Sequence, residues 1–478
     1  MDATVLLFIA VSQLSSFHHY VTDGARRLRR WLPIRRDVPD EEVFRRFLLP
    51  PSLWAHSRTL PADAGHPNVA VLQAAERRLA RIEEVVDTEY SFSMKGQLVP
   101  ITLTLDLKGS LDSLLGDLRG DLVWSVADSD VTALYDPASL APGMAHILDP
   151  VIMGPGDKNI DGLAQVVRAA EQRGVTWSSV LIAFGGGSVG NTAGTAAGLI
   201  CRGTRLIHVP TTLVAQLDSA IGGKQSVNGG VGKNYLGLFH APIKVFVQPL
   251  FLLSLDYNRI SDGLVEAMKH GFCQEHDLVR QVLEYATRKD EAPFDLLVHI
   301  LKRTIELKLE YLVDDPLEND PRTHLELGHK LGHAVEFLAG GRLSHGQSVA
   351  FGMLAEGLLF TNLGKTNAAT FDYLRNSVVR LISPTEALES IRPARVAEQL
   401  WRDNKRSGDC VPFSYLVEPQ HPRSCVQPLD ERFLDQVVSA VRDAKALLGC
   451  GPEPVADPTA PRSRRATAAT AGSASSPR

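Results

Sequence analysis

Residues Leu181 to Asn234 read LIAFGGGSVGNTAGTAAGLICRGTRLIHVPTTLVAQLDSAIGGKQSVNGGVGKN, and this stretch decides the fold. An apolar run ends in Gly185, Gly186, Gly187 and Ser188, the pattern of a buried strand entering a phosphate-cradling turn. Glycines there let the backbone approach a pyrophosphate, and the helix that follows points its N-terminus at the charge. Beyond the turn come Arg202, Thr211, Thr212, Asp218, Lys224, Lys233 and Asn234, a dense set of anion and hydroxyl ligands among small residues. The combination predicts a site for a dinucleotide beside a second phosphorylated molecule.

The 478 residues allow two or three domains. Hydrophobic residues at 44% and charged residues at 22% are the composition of a soluble globular protein. A net charge of −5 gives no electrostatic reason to expect nucleic acid or a membrane as partner. Five cysteines with no C-x-x-C spacing fit reduced thiols and a cytoplasmic location. The apolar run Val5 to Val11 is too short to span a bilayer, and with Asp2 before it no signal peptide is expected. The basic cluster Arg26, Arg27, Arg29, Arg30, Arg35 and Arg36 reads as a solvated helix face rather than a docking patch.

Short apolar strands alternate with helical segments from about Tyr90 to Leu250, as in Leu122–Ala127, Val180–Phe184, Leu206–Val209 and Val245–Val247. That alternation predicts a parallel α/β sheet. After Phe251 the segments Asp295–Leu312, Leu325–Leu338 and Ser348–Leu363 have helical period. The expected organisation is an N-terminal extension over 1–85 with no nameable chemistry and a Rossmann-like nucleotide domain over 86–250. An all-helical metal- and substrate-binding domain then covers 251–450, and a Pro/Ala/Ser/Thr/Arg-rich disordered tail covers 451–478. The active site is expected in the cleft between the two domains.

Three elements of the helical part could supply a divalent-metal site. Glu266 and Lys269 are three apart on one predicted helix face, His329 and His333 are four apart on another, and His345 sits where a turn re-enters a helix. Two imidazoles and a carboxylate leave positions open for substrate oxygens, and zinc or cobalt suits such a set. A capping or core role for each histidine is the alternative. H-E-x-x-H is absent, so a zincin protease is not supported.

Together these motifs resemble the sugar phosphate cyclases, the superfamily of 3-dehydroquinate synthase and 2-deoxy-scyllo-inosose synthase, over about Leu122 to Val417. The resemblance implies a dehydroquinate synthase-like fold, NAD as cofactor, a divalent metal and a sugar phosphate substrate. It places the adenosine ribose on Asp128 and a second ribose contact on Lys158. The pyrophosphate falls to Gly185, Gly186 and Gly187 with Asn191 nearby, and the nicotinamide half to Thr211, Thr212 and Asp218. Glu266, His329 and His345 match the metal ligands. Lys224, Lys233, Asn234, Lys308, Arg322 and Lys405 match substrate contacts, and Lys224, Lys269, Glu326 and His333 match the catalytic group. Arg202 matches a phosphate contact that crosses a homodimer interface.

Within the superfamily the residues divide. Gly190-Asn191, where dehydroquinate synthases usually have Gly-Asp, and Glu326, where they usually have Asn, resemble 2-deoxy-scyllo-inosose synthases, as do Lys224–Asn228 and Asp403–Arg406. Gly222-Gly223-Lys224 and Arg322 resemble dehydroquinate synthase, whose matching arginine helps to bind a substrate carboxylate. The expected activity is conversion of glucose 6-phosphate to 2-deoxy-scyllo-inosose with phosphate release, which would belong to aminocyclitol antibiotic formation. The alternatives are 3-dehydroquinate or aminodehydroquinate synthesis. A metal-dependent polyol dehydrogenase and a non-catalytic nucleotide-binding homologue share parts of the pattern.

Overall fold

The computed structural model describes residues 21–49, 67–118, 122–140, 149–154, 156–289, 292–319 and 321–450. The expected tail over 451–478 and the run Val5 to Val11 lie outside them. The apolar runs read from sequence form strands: β3 (Val123–Asp128), β5 (Val180–Gly185), β6 (Arg205–Pro210) and β9 (Lys244–Val247). Every residue of β5 is buried, as expected for a parallel strand covered on both faces. They belong to a seven-stranded sheet of order β1-β2-β9-β6-β5-β3-β4, parallel except for β1 against β2. Here β1 is Thr88–Met94, β2 is Gln97–Leu103 and β4 is Val151–Met153. Lys95 and Gly96, both at positive φ, make the two-residue turn between β1 and β2. The chain runs from β3 outward to β4, then returns to the other side of β3 as β5. That reversal opens a crevice at the carboxyl ends of β3 and β5, where Asp128 and Gly185 lie.

The N-terminal segment is part of this layer and not an appendage. Helix α1 (21–31) and helix α2 (Asp40–Leu48) bury Leu28, Phe44 and Phe47 in one cluster with Val123, Phe184, Val209 and Phe246 of the sheet. Tyr135 lies at its centre, edge-on to Phe47, Phe184 and Phe251 with centroids 6.3, 6.2 and 5.0 Å away. Helix α3 (Pro67–Glu83) adds Leu79 and Ile82 to the same cluster. Among the cluster of arginines, Arg27 pairs with Glu83, Arg29 with Asp40 at 3.1 Å and Arg35, beyond the end of α1, with Asp37 at 2.7 Å.

Helices α4 (Leu107–Leu118), α5 (Ser129–Leu134), α6 (Ile160–Gln172) and α7 (Gly187–Leu199) connect the strands. The chain then becomes helical: α8 (Tyr257–Cys273), α9 (His276–Arg288), α10 (Phe294–Asp314), α11 (His329–Ala339) and α12 (His345–Asn362). Two hairpins interrupt the expected pattern. One is β7 (Lys224–Val227) with β8 (Leu236–Phe239), within the quoted stretch. The other is β10 (Cys410–Glu418) with β11 (His421–Pro428), inside the part expected to be wholly helical. None of the five cysteines forms a disulfide. Among the described residues, no helix is long and apolar enough to cross a membrane.

Helices α11 and α12 meet backbone to backbone. Gly328, the N-cap of α11, has φ +77, and a Cβ on Gly352 would stand 1.9 Å from its carbonyl oxygen and 2.6 Å from the Gly332 nitrogen. Gly328 has no side chain to cap the helix. The fully buried Glu356 on α12 does so instead, accepting from the Gly328 and Leu331 N–H groups at 2.9 and 2.8 Å. Gly352→Ala is expected to destabilise the protein by about 3 kcal/mol, because the obstruction is backbone. Gly116→Ala, in α4 with nothing within 4 Å of its Cβ, should be neutral or stabilising by up to about 1 kcal/mol. Urea unfolding of the two variants checks this, and equal midpoints would refute the crossing argument.

Candidate active site

The glycine turn predicted from sequence links β5 to α7. Gly186 is the N-cap of α7 and offers no side chain, so the N–H groups of the first turn face the crevice. Cβ atoms on Gly186 and Gly187 would lie 3.0 Å from Thr212 and 2.9 Å from Ser219, so the turn is closely backed. Thr211 donates its backbone N–H to the Gly185 carbonyl at 3.0 Å, and its hydroxyl is buried with no partner among the described residues. Asn191 stands one helical turn beyond Gly187 on the same side of α7. Asp128 ends β3 and caps α5 through the Asp130 N–H at 2.9 Å. These residues are assembled as a dinucleotide cradle requires. The orphaned Thr211 hydroxyl and the uncapped helix terminus are the observations that fit one.

Glu266 on α8 is completely buried and faces the ends of α11 and α12. Its Oε1 lies 3.6 Å from His329 Nε2 and 3.2 Å from His345 Nε2. The edge of a tetrahedral site with bonds near 2.05 Å is about 3.3 Å, so the three atoms already stand at ligand spacing. Lys269, one turn along α8, is ion-paired to the other oxygen of Glu266. His345 begins α12 behind the capping box of Ser344 and Gln347, and its Nδ1 meets Glu336 at 3.1 Å. Burial opposes protonation of His345, yet Glu336 and Glu266 together hold its pKa up to about 10. The same negative field would attract a divalent cation. Burial, aided by Lys269, pushes His329 down to about 4, and burial with His329 keeps His333 well below its usual value. Both are therefore neutral, the ligating form of imidazole. His333, Glu336 and His345 form a second close group that shares His345.

The remaining predicted residues form a chain of ion pairs across the cleft. Lys308 on α10 binds Asp218, which lies on a π-helical turn over Ala215–Ser219. Burial lowers Lys308 to about 8 against the pull of Asp218. Lys224 reaches Glu318 at 2.8 Å, and Lys405 reaches Glu318 and Glu326, both at 2.9 Å. Lys330 lies 3.4 Å from Glu326 and 3.3 Å from Asp403. Burial raises the Glu326 carboxyl, but Lys405, Lys330 and Lys224 outweigh it and hold the group well below the carboxylate range. Lys233 pairs with Glu336 at 2.7 Å, and Lys158 donates to Asn234 Oδ1 at 2.7 Å. A small cleft opens among Lys233, His333, Lys330 and Asn404.

Lys158 and Arg322 are placed differently from the sequence expectation, while Arg202, expected to act across a homodimer interface, lies away from the cleft of its own chain. Lys158 turns its ammonium to Asn234 and not toward a ribose, because its loop folds back over β7, where Asn228 N–H bonds its carbonyl at 3.0 Å. Arg322 is buried, but its Nη1 donates to the Pro316 carbonyl at 2.8 Å and holds the preceding loop. Arg202 is exposed beyond the far end of α7, at the opposite edge of the sheet from the glycine turn, so one chain does not bring it to the cleft. Four participants escaped the sequence reading: Glu318, Lys330, Glu336 and Asn404. Only Glu336 carried a signal, three residues after His333 and so on the same helix face.

The family models for the N-terminal and C-terminal parts of 3-dehydroquinate synthase match residues 150–262 and 263–406, meeting within α8. The 2-deoxy-scyllo-inosose synthase of Streptomyces kanamyceticus is 32% identical over 330 residues, covering 67% of this chain and 84% of that protein. The 3-dehydroquinate synthase of a Synechococcus species is 37% identical over 238 residues, covering 49% of this chain and 65% of that one. In fold, the chain is similar to a crystal structure of 2-deoxy-scyllo-inosose synthase complexed with carbaglucose-6-phosphate, NAD+ and Co2+. The TM-score is 0.64 at 22% identity, over 74% of this chain and 99% of that one. With the cleft assembled as described, the chain belongs to the sugar phosphate cyclases, the 3-dehydroquinate synthase-like family of carbon–oxygen lyases.

Proposed function

We propose that this protein is an NAD- and divalent-metal-dependent cyclase that converts glucose 6-phosphate to 2-deoxy-scyllo-inosose with release of phosphate. The glycine turn, Asn191, Thr211, Thr212, Asp218 and Asp128 would hold the dinucleotide, and Glu266, His329 and His345 the cation, zinc or cobalt. When bound, the dinucleotide exchanges a hydride with a ring carbon and the cation acidifies the hydroxyl on that carbon. Lys269, pinned by Glu266, orients the oxygen of that hydroxyl. Lys224, Lys233, Asn234 and His333 meet the phosphate and stabilise the charge that grows as its C–O bond breaks. Lys405, Lys308, Arg322 and Glu326 hold the remaining hydroxyls through the later ring opening and aldol closure, in a cleft that limits water. Arg202 serves the second site of a homodimer.

The observation that carries the choice of substrate is the Glu326 carboxylate, ionised between Lys405 and Lys330. A substrate carboxylate 4 Å from it would be repelled by about 4 kcal/mol at an effective dielectric near 20, whereas a neutral polyol can donate to it. Lys405 and Lys330 are already matched by Glu318, Glu326 and Asp403, so a sugar phosphate whose far end carries only hydroxyls leaves the balance there intact. Dehydroquinate synthesis is the second reading. It is favoured by Arg322, which is buried near Glu318 and Glu326 and still has donors besides the one given to Pro316.

Purified protein with NAD and a divalent cation should release inorganic phosphate from glucose 6-phosphate and not from 3-deoxy-arabino-heptulosonate 7-phosphate. The reverse preference would transfer the protein to dehydroquinate synthesis, and NADH accumulating on a simple polyol without phosphate would make it a dehydrogenase. In metal analysis, His329→Ala should lose the bound ion and His333→Ala should retain it. Full occupancy in His329→Ala would show that the ion belongs to the His333, Glu336, His345 group instead.

A further inference from the structure

Asn234 is fixed on every side that the described residues supply. Its backbone N–H donates to Asn228 Oδ1 at 3.1 Å, and its carbonyl accepts from Asn404 Nδ2 at 3.1 Å. Its side-chain Oδ1 accepts from both Lys158 Nζ at 2.7 Å and Ser226 Oγ at 3.1 Å. The loop that carries Lys158 is itself held. Asp157 Oδ2 accepts from the Gly154 N–H at 2.6 Å, Asn159 caps α6, and the Lys158 carbonyl accepts from the Asn228 N–H.

A carboxamide accepts at one end and donates at the other, and the two ends have nearly the same shape. A serine hydroxyl serves either end. An ammonium only donates: burial and Lys233 lower the Lys158 pKa to about 7, but a phosphate dianion bound beside Asn234 favours the charged form, in which Lys158 turns the amide oxygen toward itself and the Nδ2 hydrogens to the opposite side. The oxygens of a phosphate dianion only accept. An amide turned the other way would present oxygen to oxygen and repel them. Next along the chain, Lys233 lines the cleft with His333 and Asn404.

We propose that Lys158 is a positioning residue of the phosphate subsite: through Asn234 Oδ1 it keeps the Asn234 Nδ2 hydrogens turned toward the phosphate of the sugar phosphate. The inference rests on the reading above that Asn234 meets that phosphate. It replaces the ribose contact that family resemblance implies for Lys158.

The test is calorimetric titration of inorganic phosphate into the full-length protein loaded with NAD and the divalent cation, across Lys158→Met, Asn234→Gly (glycine tolerates the positive φ there and adds no charge) and the double variant. Because Lys158 acts through Asn234, each single variant should weaken phosphate binding by about tenfold and the double by no more than either single, while NAD affinity stays within twofold. Multiplicative losses would show that Lys158 meets the phosphate directly, and loss of NAD affinity in Lys158→Met would restore the ribose role. Either result overturns the proposal. Lys158→Gln retains an uncharged donor and covers the case in which the methionine variant does not fold. It should lose no more than threefold, and a full tenfold loss would show that charge and not orientation matters. Wild-type protein that binds no phosphate would instead refute the functional reading on which the proposal stands, and the proposal with it.

Discussion

The backbone contact between α11 and α12 is the constraint on which the site depends. Where the two helices touch through Gly328, Gly332 and Gly352 main chain meets main chain, so their relative placement is tightly constrained there. His329 begins one of these helices and His345 the other. Their Nε2 atoms can converge on Glu266 because the helices cross at that depth. The Glu356 cap serves the same end, since it holds the first turn of α11, and with it His329, against α12. A side chain delivered from a helix terminus whose N–H groups were unsatisfied would be less well fixed.

The sheet contributes a second rigid frame, and the N-terminal helices are part of what makes it rigid. Helices α1 and α2, with Leu107, Leu111 and Leu115 of α4, complete the apolar cluster over the face of β3, β5 and β6 that carries Val123, Phe184 and Val209. At about 25 cal/mol per Å2 of apolar surface, uncovering such a face is costly. Tyr135 closes the cluster just after α5, the short helix that Asp128 caps. The cover of the sheet and the carboxylate at the end of β3 are therefore joined by a single turn of chain, which couples the order of the extension to the geometry of the crevice.

Much of this was legible in the sequence where one local pattern suffices. The strands β3, β5, β6 and β9 are largely buried on both faces and read as apolar runs, broken within only by Ser125 in β3 and His208 in β6. Glu266, His329 and His345 were legible because helical spacing and adjacent glycines mark them. The hairpin β10–β11 was not, because exposed positions in both strands and Pro412, Pro422 and Pro428 break any apolar period. Glu318, Lys330 and Asn404 were silent because a single charged or polar side chain in a loop or on a helix has no pattern to belong to. Lys158 was visible as a residue, but its partner lies 76 positions away, and only the return of β7 beside the β4–α6 loop brings the two together.

In the proposed reading, the ion pairs would give the cleft its selectivity by leaving little charge unmatched. Lys224, Lys405 and Lys330 face Glu318, Glu326 and Asp403; Lys308 faces Asp218; Lys233 faces Glu336. Such a lattice is already formed before a substrate arrives, so binding exchanges hydrogen bonds and does not have to assemble them, which lowers the ordering cost of association. It also sets the polarity of each subsite. Around Asn234, donors gather on one side of a neutral amide, and an acceptor-only phosphate fits the other. Around Glu326 the roles reverse, because an ionised carboxylate wants donors and a polyol hydroxyl supplies one. A molecule with phosphate at one end and hydroxyls at the other satisfies both subsites at once, whereas a second carboxylate would have to compete with Glu326 for Lys405 and Lys330.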